Sequence, residues 1–148
     1  MAKPLSRMPQ PVFVWGAQLA GTVAIALAIY LFFGKGGPVF AGVDPEWTRF
    51  GLYGILAAGG PAIWYVRRFK RALNADIAAA NRQGGVPDPL LRQELLKKLN
   101  VGSALCELPL ALGALYLMAG GEVRWFVGAA MVSIALRLSY RPFTGKKR

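Results

Sequence analysis

Between Arg7 and Lys35 the chain carries no charged side chain, and Val12–Phe33 is an almost unbroken apolar run of 22 residues. About 20 such residues cross the roughly 30 Å hydrocarbon core of a bilayer, so a membrane helix is expected here. Lys3 and Arg7 precede the run, as bases precede the apolar part of a leader peptide. That part is ordinarily only about 7–15 residues long, so a retained anchor is the expectation. Composition agrees. Hydrophobic residues make up 55% of the chain, charged residues 17%, and mean hydropathy is +0.38. A soluble domain carries about 25% charged residues.

Three further uncharged stretches follow. Phe50–Val66 lies between Arg49 and Arg67, the run from Leu99 onward is broken only by Glu107, and Trp125–Leu136 is shorter. The last reaches spanning length if Arg137 snorkels toward the interface. The expected fold is therefore all-α: a single domain over 1–148 of four transmembrane helices in two hairpins. The spans are placed at about 12–33, 50–66, 99–120 and 123–140, with a linker at 67–98.

Charge sets the expected orientation. The N-terminal tail, the 67–98 linker and the C-terminal end hold fifteen bases, whereas Lys35, Arg49 and Arg124 are the only three on the other side. Cytoplasmic loops carry the excess of Lys and Arg, so both termini and the basic linker are expected inside. Topology thus accounts for the net charge of +11 without a nucleic-acid partner. Arg67, Arg68, Lys70, Arg71, Lys97 and Lys98 are placed at lipid headgroups, where anionic lipid attracts them. Within the linker, Arg67–Gln83 can prolong the second helix into water. Asp88 can cap a helix opening at Pro89 and running through LLRQELLKKLN into the third span.

Chemistry is sparse. With no His and one cysteine, Cys106, the chain lacks a disulfide framework and a His–Cys zinc site, and no metal or cofactor is expected. Glu107 is the one ionisable group well inside a span, and a carboxylate there needs protein or water beside it. At the 1.5 Å helical rise, Glu107 lies about 12 Å above Leu99 and Gln18 about 10 Å above Pro11. Ser133 and Arg137 bracket the same layer from the fourth span. A polar clasp or ion-binding layer of Glu107, Gln18, Ser103, Ser133 and Arg137 follows, with Arg137 or Gln18 as the carboxylate's partner. Pro109, two residues on, removes a backbone donor. Small residues at four-residue spacing mark close helix contacts: Gly16, Ala20 and Ala24, then Gly54, Ala58 and Ala62, with Ala104 and Ala111 beside Glu107.

The segment ALCELPLALGALYLMAGGEVRWFVGAAMVSIALRLSYRP resembles the second hairpin of small uncharacterised bacterial four-span membrane proteins, and VFVWGAQLAGTVAIALAIYLFF resembles their first span. That hairpin is itself similar to the proteolipid c subunit of rotary ATPases, whose helical acidic residue carries the ion. The resemblance implies that role for Glu107. Pro109, Arg137, the basic linker and the absence of a glycine-rich packing helix depart from the c-subunit pattern. The four-span plan also looks like the small assembly proteins encoded with ATP synthases.

No nucleophile–base pair or nucleotide loop is visible, so the expected function is non-catalytic. The chain reads as a multi-pass accessory or scaffold subunit of the bacterial inner membrane, packing against larger transmembrane subunits, with the bilayer and bound lipids as further partners. The alternative is a small proton- or cation-binding transport component that uses Glu107.

Overall fold

A computed structural model describes residues 10–40 and 44–142, and the terminal bases Lys3, Arg7, Lys146, Lys147 and Arg148 lie outside them. The described residues form four helices: α1 Pro11–Phe33, α2 Pro45–Arg82, α3 Pro89–Met118 and α4 Val123–Ser139. Helix starts follow local chemistry. Proline at the first position costs no hydrogen bond, because that amide is unpaired anyway, and it opens α1, α2 and α3. Asp44 accepts from the Glu46 amide at 3.0 Å and Asp88 from the Leu90 amide at 2.8 Å, capping α2 and α3.

Two helix ends use glycine for its left-handed freedom. Gly84 (φ 66°) lets the Gly85 amide reach back to the Ala80 carbonyl at 2.8 Å. Gly120 (φ 92°) lets the Gly121 amide reach the Tyr116 carbonyl at 3.0 Å. Each closes a six-residue loop that satisfies a terminal carbonyl. Beyond the Gly120 turn, the Val39 and Phe40 amides donate to the Met118 carbonyl at 2.8 and 3.1 Å, tying the α1–α2 connection to α3.

Two of the four helices, α1 and α3, are long and apolar enough to cross a membrane; α2 and α4 do not meet that measure. The 17 residues of α4 include Arg124 and Arg137 and span about 25 Å, short of the hydrocarbon core. In α2 the uncharged stretch is diluted by Gly51, Gly54, Gly59, Gly60 and Pro61 and runs directly into Arg67 and Arg68. Most of the 67–98 linker is helical, as its composition suggests: α2 continues to Arg82 and α3 begins at Pro89.

The packing order differs from two sequential hairpins. Helix α3 is central, with α2 against it most extensively, α4 next and α1 more lightly, whereas α1 and α2 scarcely touch. The reason is visible in the faces. On α2 the Gly54–Ala58–Ala62 stripe turns inward, Ala62 being fully buried, and Gly51 and Gly54 admit Tyr116 and Leu112 of α3. On α1, Ala20 and Ala24 are exposed and a Cβ on Gly16 would meet nothing within 4 Å, so that stripe faces away from the rest of the chain. Ala104 and Ala111 of α3 are exposed as well. The close approaches on α3 come from Gly102, against the Tyr140 ring, and Gly113, where a Cβ would lie 2.7 Å from that of Ala129. A small side chain permits a contact only where another helix stands opposite it.

Two larger apolar clusters, with a smaller one of Ile55, Tyr116 and Ala129, fill the interior. Phe69, Leu73, Leu95, Leu99, Cys106 and Tyr140 pack together at the basic end. Ala26, Leu110, Leu117 and Phe126 pack at the other. Between them lies a band of polar side chains.

Candidate functional site

The polar band is built by α1, α3 and α4 around Glu107. Arg137, in the last turn of α4, is 1% exposed, and its Nη2 donates to Glu107 Oε1 at 2.9 Å and to the Ser103 carbonyl at 2.9 Å. Its backbone carbonyl accepts from Trp15 Nε1 of α1 at 3.0 Å. One residue of α4 therefore holds both α1 and α3.

Helix α1 contributes two polar groups. Gln18 Oε1 accepts from Ser103 Oγ at 2.5 Å, and its Nε2 donates to Asn100 Oδ1 at 2.8 Å. Thr22 Oγ1 lies 3.0 Å from the Gln18 carbonyl and 3.4 Å from Glu107 Oε1. It has a single hydrogen, and the shorter contact is the stronger one. Arg137 is thus the direct partner of Glu107, and Gln18 serves Ser103 and Asn100 instead.

Ser133 stands apart from the carboxylate. Its Oγ accepts from the Leu110 amide at 3.0 Å, just past Pro109, and joins α4 to α3 where proline has thinned the ladder. Tyr140 closes the basic end, its hydroxyl donating to the Ala62 carbonyl of α2 at 2.5 Å. Sequence reasoning missed Thr22, Asn100, Trp15 and Tyr140. Of these, Thr22 had a readable signal, one helical turn beyond Gln18 on the same face.

The electrostatics are lopsided. A guanidinium stays charged in proteins and offers five N–H donors. Arg137 Nε and Nη1 are buried without a hydrogen-bond partner, while the Glu107 side chain is 46% exposed. Burying a cation is costly unless a counter-charge meets it, and Glu107 is the carboxylate that does so. A cation competing for Glu107 would have to displace a positive charge already held at 2.9 Å.

Arg67, Arg68, Lys70, Arg71 and Lys97 are exposed, and Lys98 is partly so. The Arg68 guanidinium lies over the Trp64 ring, 4.4 Å from its centre. Near them is a second ion pair absent from the sequence reading: Asp76 of α2, 3% exposed, meets Arg92 of α3 with Nη2–Oδ2 at 3.0 Å and Nε–Oδ1 at 3.3 Å. Among the described residues no three His, Cys, Asp or Glu side chains come together as metal ligands. Comparison with protein-family models, with the curated proteins and with the solved structures found no match to this chain.

Proposed function

We propose that the chain is a non-catalytic accessory or scaffold subunit of the bacterial inner membrane. In this reading it crosses four times, with both termini and the basic 67–98 segment in the cytoplasm. The observation that carries it is α1: a 23-residue apolar helix that buries only Pro11, Thr22 and Ala26 and turns its Gly16–Ala20–Ala24 stripe away from its own bundle. Such a stripe lets a neighbouring helix approach closely in lipid, where packing rather than the hydrophobic effect drives association. The short α4, whose Arg137 turns into the bundle toward Glu107 and not toward the interface, and the glycine-rich α2 fit a bundle that spans by local thinning of the bilayer. The fifteen-to-three distribution of bases supports the orientation.

The Glu107–Arg137 pair supports the structural role over ion transport, because the carboxylate already has a cation of its own. The likeness of the second hairpin to the proteolipid c subunit belongs to this proposal as a shared helical pattern without the rotor function.

The test is assembly. Purified in mild detergent, the natural chain runs as part of a larger particle, and Gly16→Leu with Ala20→Leu releases it as a folded monomer. Those side chains point into open space in this chain, so the bundle itself is spared. An unchanged particle size in the double variant, or loss of a proton or cation flux and of carbodiimide labelling in Glu107→Gln, defeats the reading.

A further inference from the structure

Between them, helices α2 and α4 leave an open groove of about 760 Å³. Its walls are Leu52, Leu56 and Ile63 from α2 and Trp125, Val132 and Leu136 from α4. From Leu52 to Ile63 along α2, and from Trp125 to Leu136 along α4, the groove runs for about 17 Å. Glycine makes the room. A Cβ on Gly60 or on Gly128 would meet nothing within 4 Å, and both residues line the groove. Its volume lies within the roughly 300–1,000 Å³ of small-molecule sites, but the lining is almost wholly apolar and the long side is open.

One polar feature breaks this pattern. Arg49 stands at one end of the groove, exposed, and among the described residues it has no carboxylate or hydrogen-bond partner. Arg124 near the same end is already paired with Glu122, with its guanidinium over the Trp125 ring. Tyr53 and Trp125 flank this end as amphipathic rings do at a membrane interface. An elongated apolar slot, open along its length and tipped by one uncompensated cation, has the shape and charge of a phospholipid: a chain in the slot and an anionic headgroup at the tip.

We propose that the α2–α4 groove is a binding site for one acyl chain of an anionic phospholipid whose phosphate pairs with Arg49. The inference rests on the membrane reading above and specifies a site within it. A transmembrane helix of a partner is the rival occupant, but it would bring no charge to Arg49 without burying a carboxylate at the interface. The lipid supplies the phosphate in the aqueous headgroup layer, where it already resides.

The full chain is extracted in mild detergent, exchanged into bilayer discs of equal phosphatidylglycerol and phosphatidylcholine with the same chains, re-extracted, and its retained lipid identified by mass spectrometry. The natural chain retains phosphatidylglycerol over phosphatidylcholine by about fivefold, the worth of one base near an anionic surface. Arg49→Gln brings that ratio close to one, while Arg82→Gln, an exposed base at the far end of α2 and outside the groove, leaves it unchanged. Gly60→Leu with Gly128→Leu fills the groove and removes the retained lipid of either class, with helix content by circular dichroism equal to that of the natural chain.

Equal retention of the two lipids by the natural chain overturns the proposal, and so does undiminished retention in the filled variant. Release of a protein partner by the filled variant with lipid unchanged also overturns it, in favour of a helix seat. A chain that needs detergent yet retains no lipid sinks the groove alone. One that dissolves in water without detergent sinks the membrane reading with it.

Discussion

Two ion pairs join helices among the described residues, and they are inverted copies of each other. In Arg137–Glu107 the cation is the buried member, at 1% side-chain exposure against 46% for the carboxylate. In Arg92–Asp76 the carboxylate is the buried member, at 5% against 20%. The first lies in the polar band between apolar clusters; the second pins the extensions of α2 and α3 at the basic end. The contrast shows which member of a pair each helix depends on. Removing the exposed partner strands the buried charge, whereas removing the buried one frees a side chain that can turn to solvent. A third pair, Lys98–Glu94, spans one helical turn on the surface and serves as a reference with neither member buried.

The sharpest way to break the contrast is to remove the exposed member of each buried pair. Glu107→Gln leaves the enclosed Arg137 guanidinium without counter-charge and should cost about 3 kcal/mol, seen as a lower thermal midpoint in detergent. Adding Arg137→Met to that variant should recover most of the loss. A double variant as unstable as Glu107→Gln alone would show that the pair is not the source. Arg92→Leu strands Asp76 and should cost about 2 kcal/mol, less because that end of the molecule reaches water more readily. Asp76→Asn should cost less than Arg92→Leu, and the reverse order would contradict the inversion.

A smaller effect is expected from Gly102→Ala, whose methyl meets the Tyr140 ring: about 1–2 kcal/mol, partly relieved by Tyr140→Leu. The smallest belongs to the reference pair. The Lys98 ammonium, through its hydrogen bond and its charge, holds the Glu94 carboxyl below its ordinary value of 4.5. A depressed carboxyl contributes stability above pH 4.5 that is lost as pH falls through the lowered value. Midpoints measured from pH 7 to pH 3 should therefore show a shallow decline that Lys98→Gln flattens, far smaller than the change from Glu107→Gln.

How legible each pair was in the sequence follows from its surroundings. Glu107 and Arg137 interrupt apolar runs, so both announce themselves, and counting helical rise from the basic end brings them to nearby depths. Asp76 lies in a segment rich in arginine and alanine, where one more charge draws no notice. Its burial on the stripe Phe69–Ala72–Leu73–Asp76–Ala79, at helical spacing, emerges only from the structure. The two small-residue stripes make the complementary point. Gly54–Ala58–Ala62 and Gly16–Ala20–Ala24 have the same spacing, yet only the first has a neighbour opposite it. Spacing reveals a face and leaves open what meets it. The helix start at Asp88–Pro89 is legible because capping is local; Asp44–Pro45 carries the same signal, but the turn-rich stretch before Phe50 reads as an outer loop, and the structure starts α2 there instead. The exchange of α1–α2 contact for α2–α3 contact was not, since it depends on partners far away in sequence.

The 38 residues of α2 form one uninterrupted helix about 57 Å long, nearly twice the thickness of a hydrocarbon core. Its far arm is lashed to α3 through Asp76 and Arg92, its near arm rests on Tyr116, and Pro61 is the one place along it where a backbone donor is missing and bending is cheap. Bending at Pro61 would change the width of the α4 groove, which Gly60 and Ile63 line on either side of it.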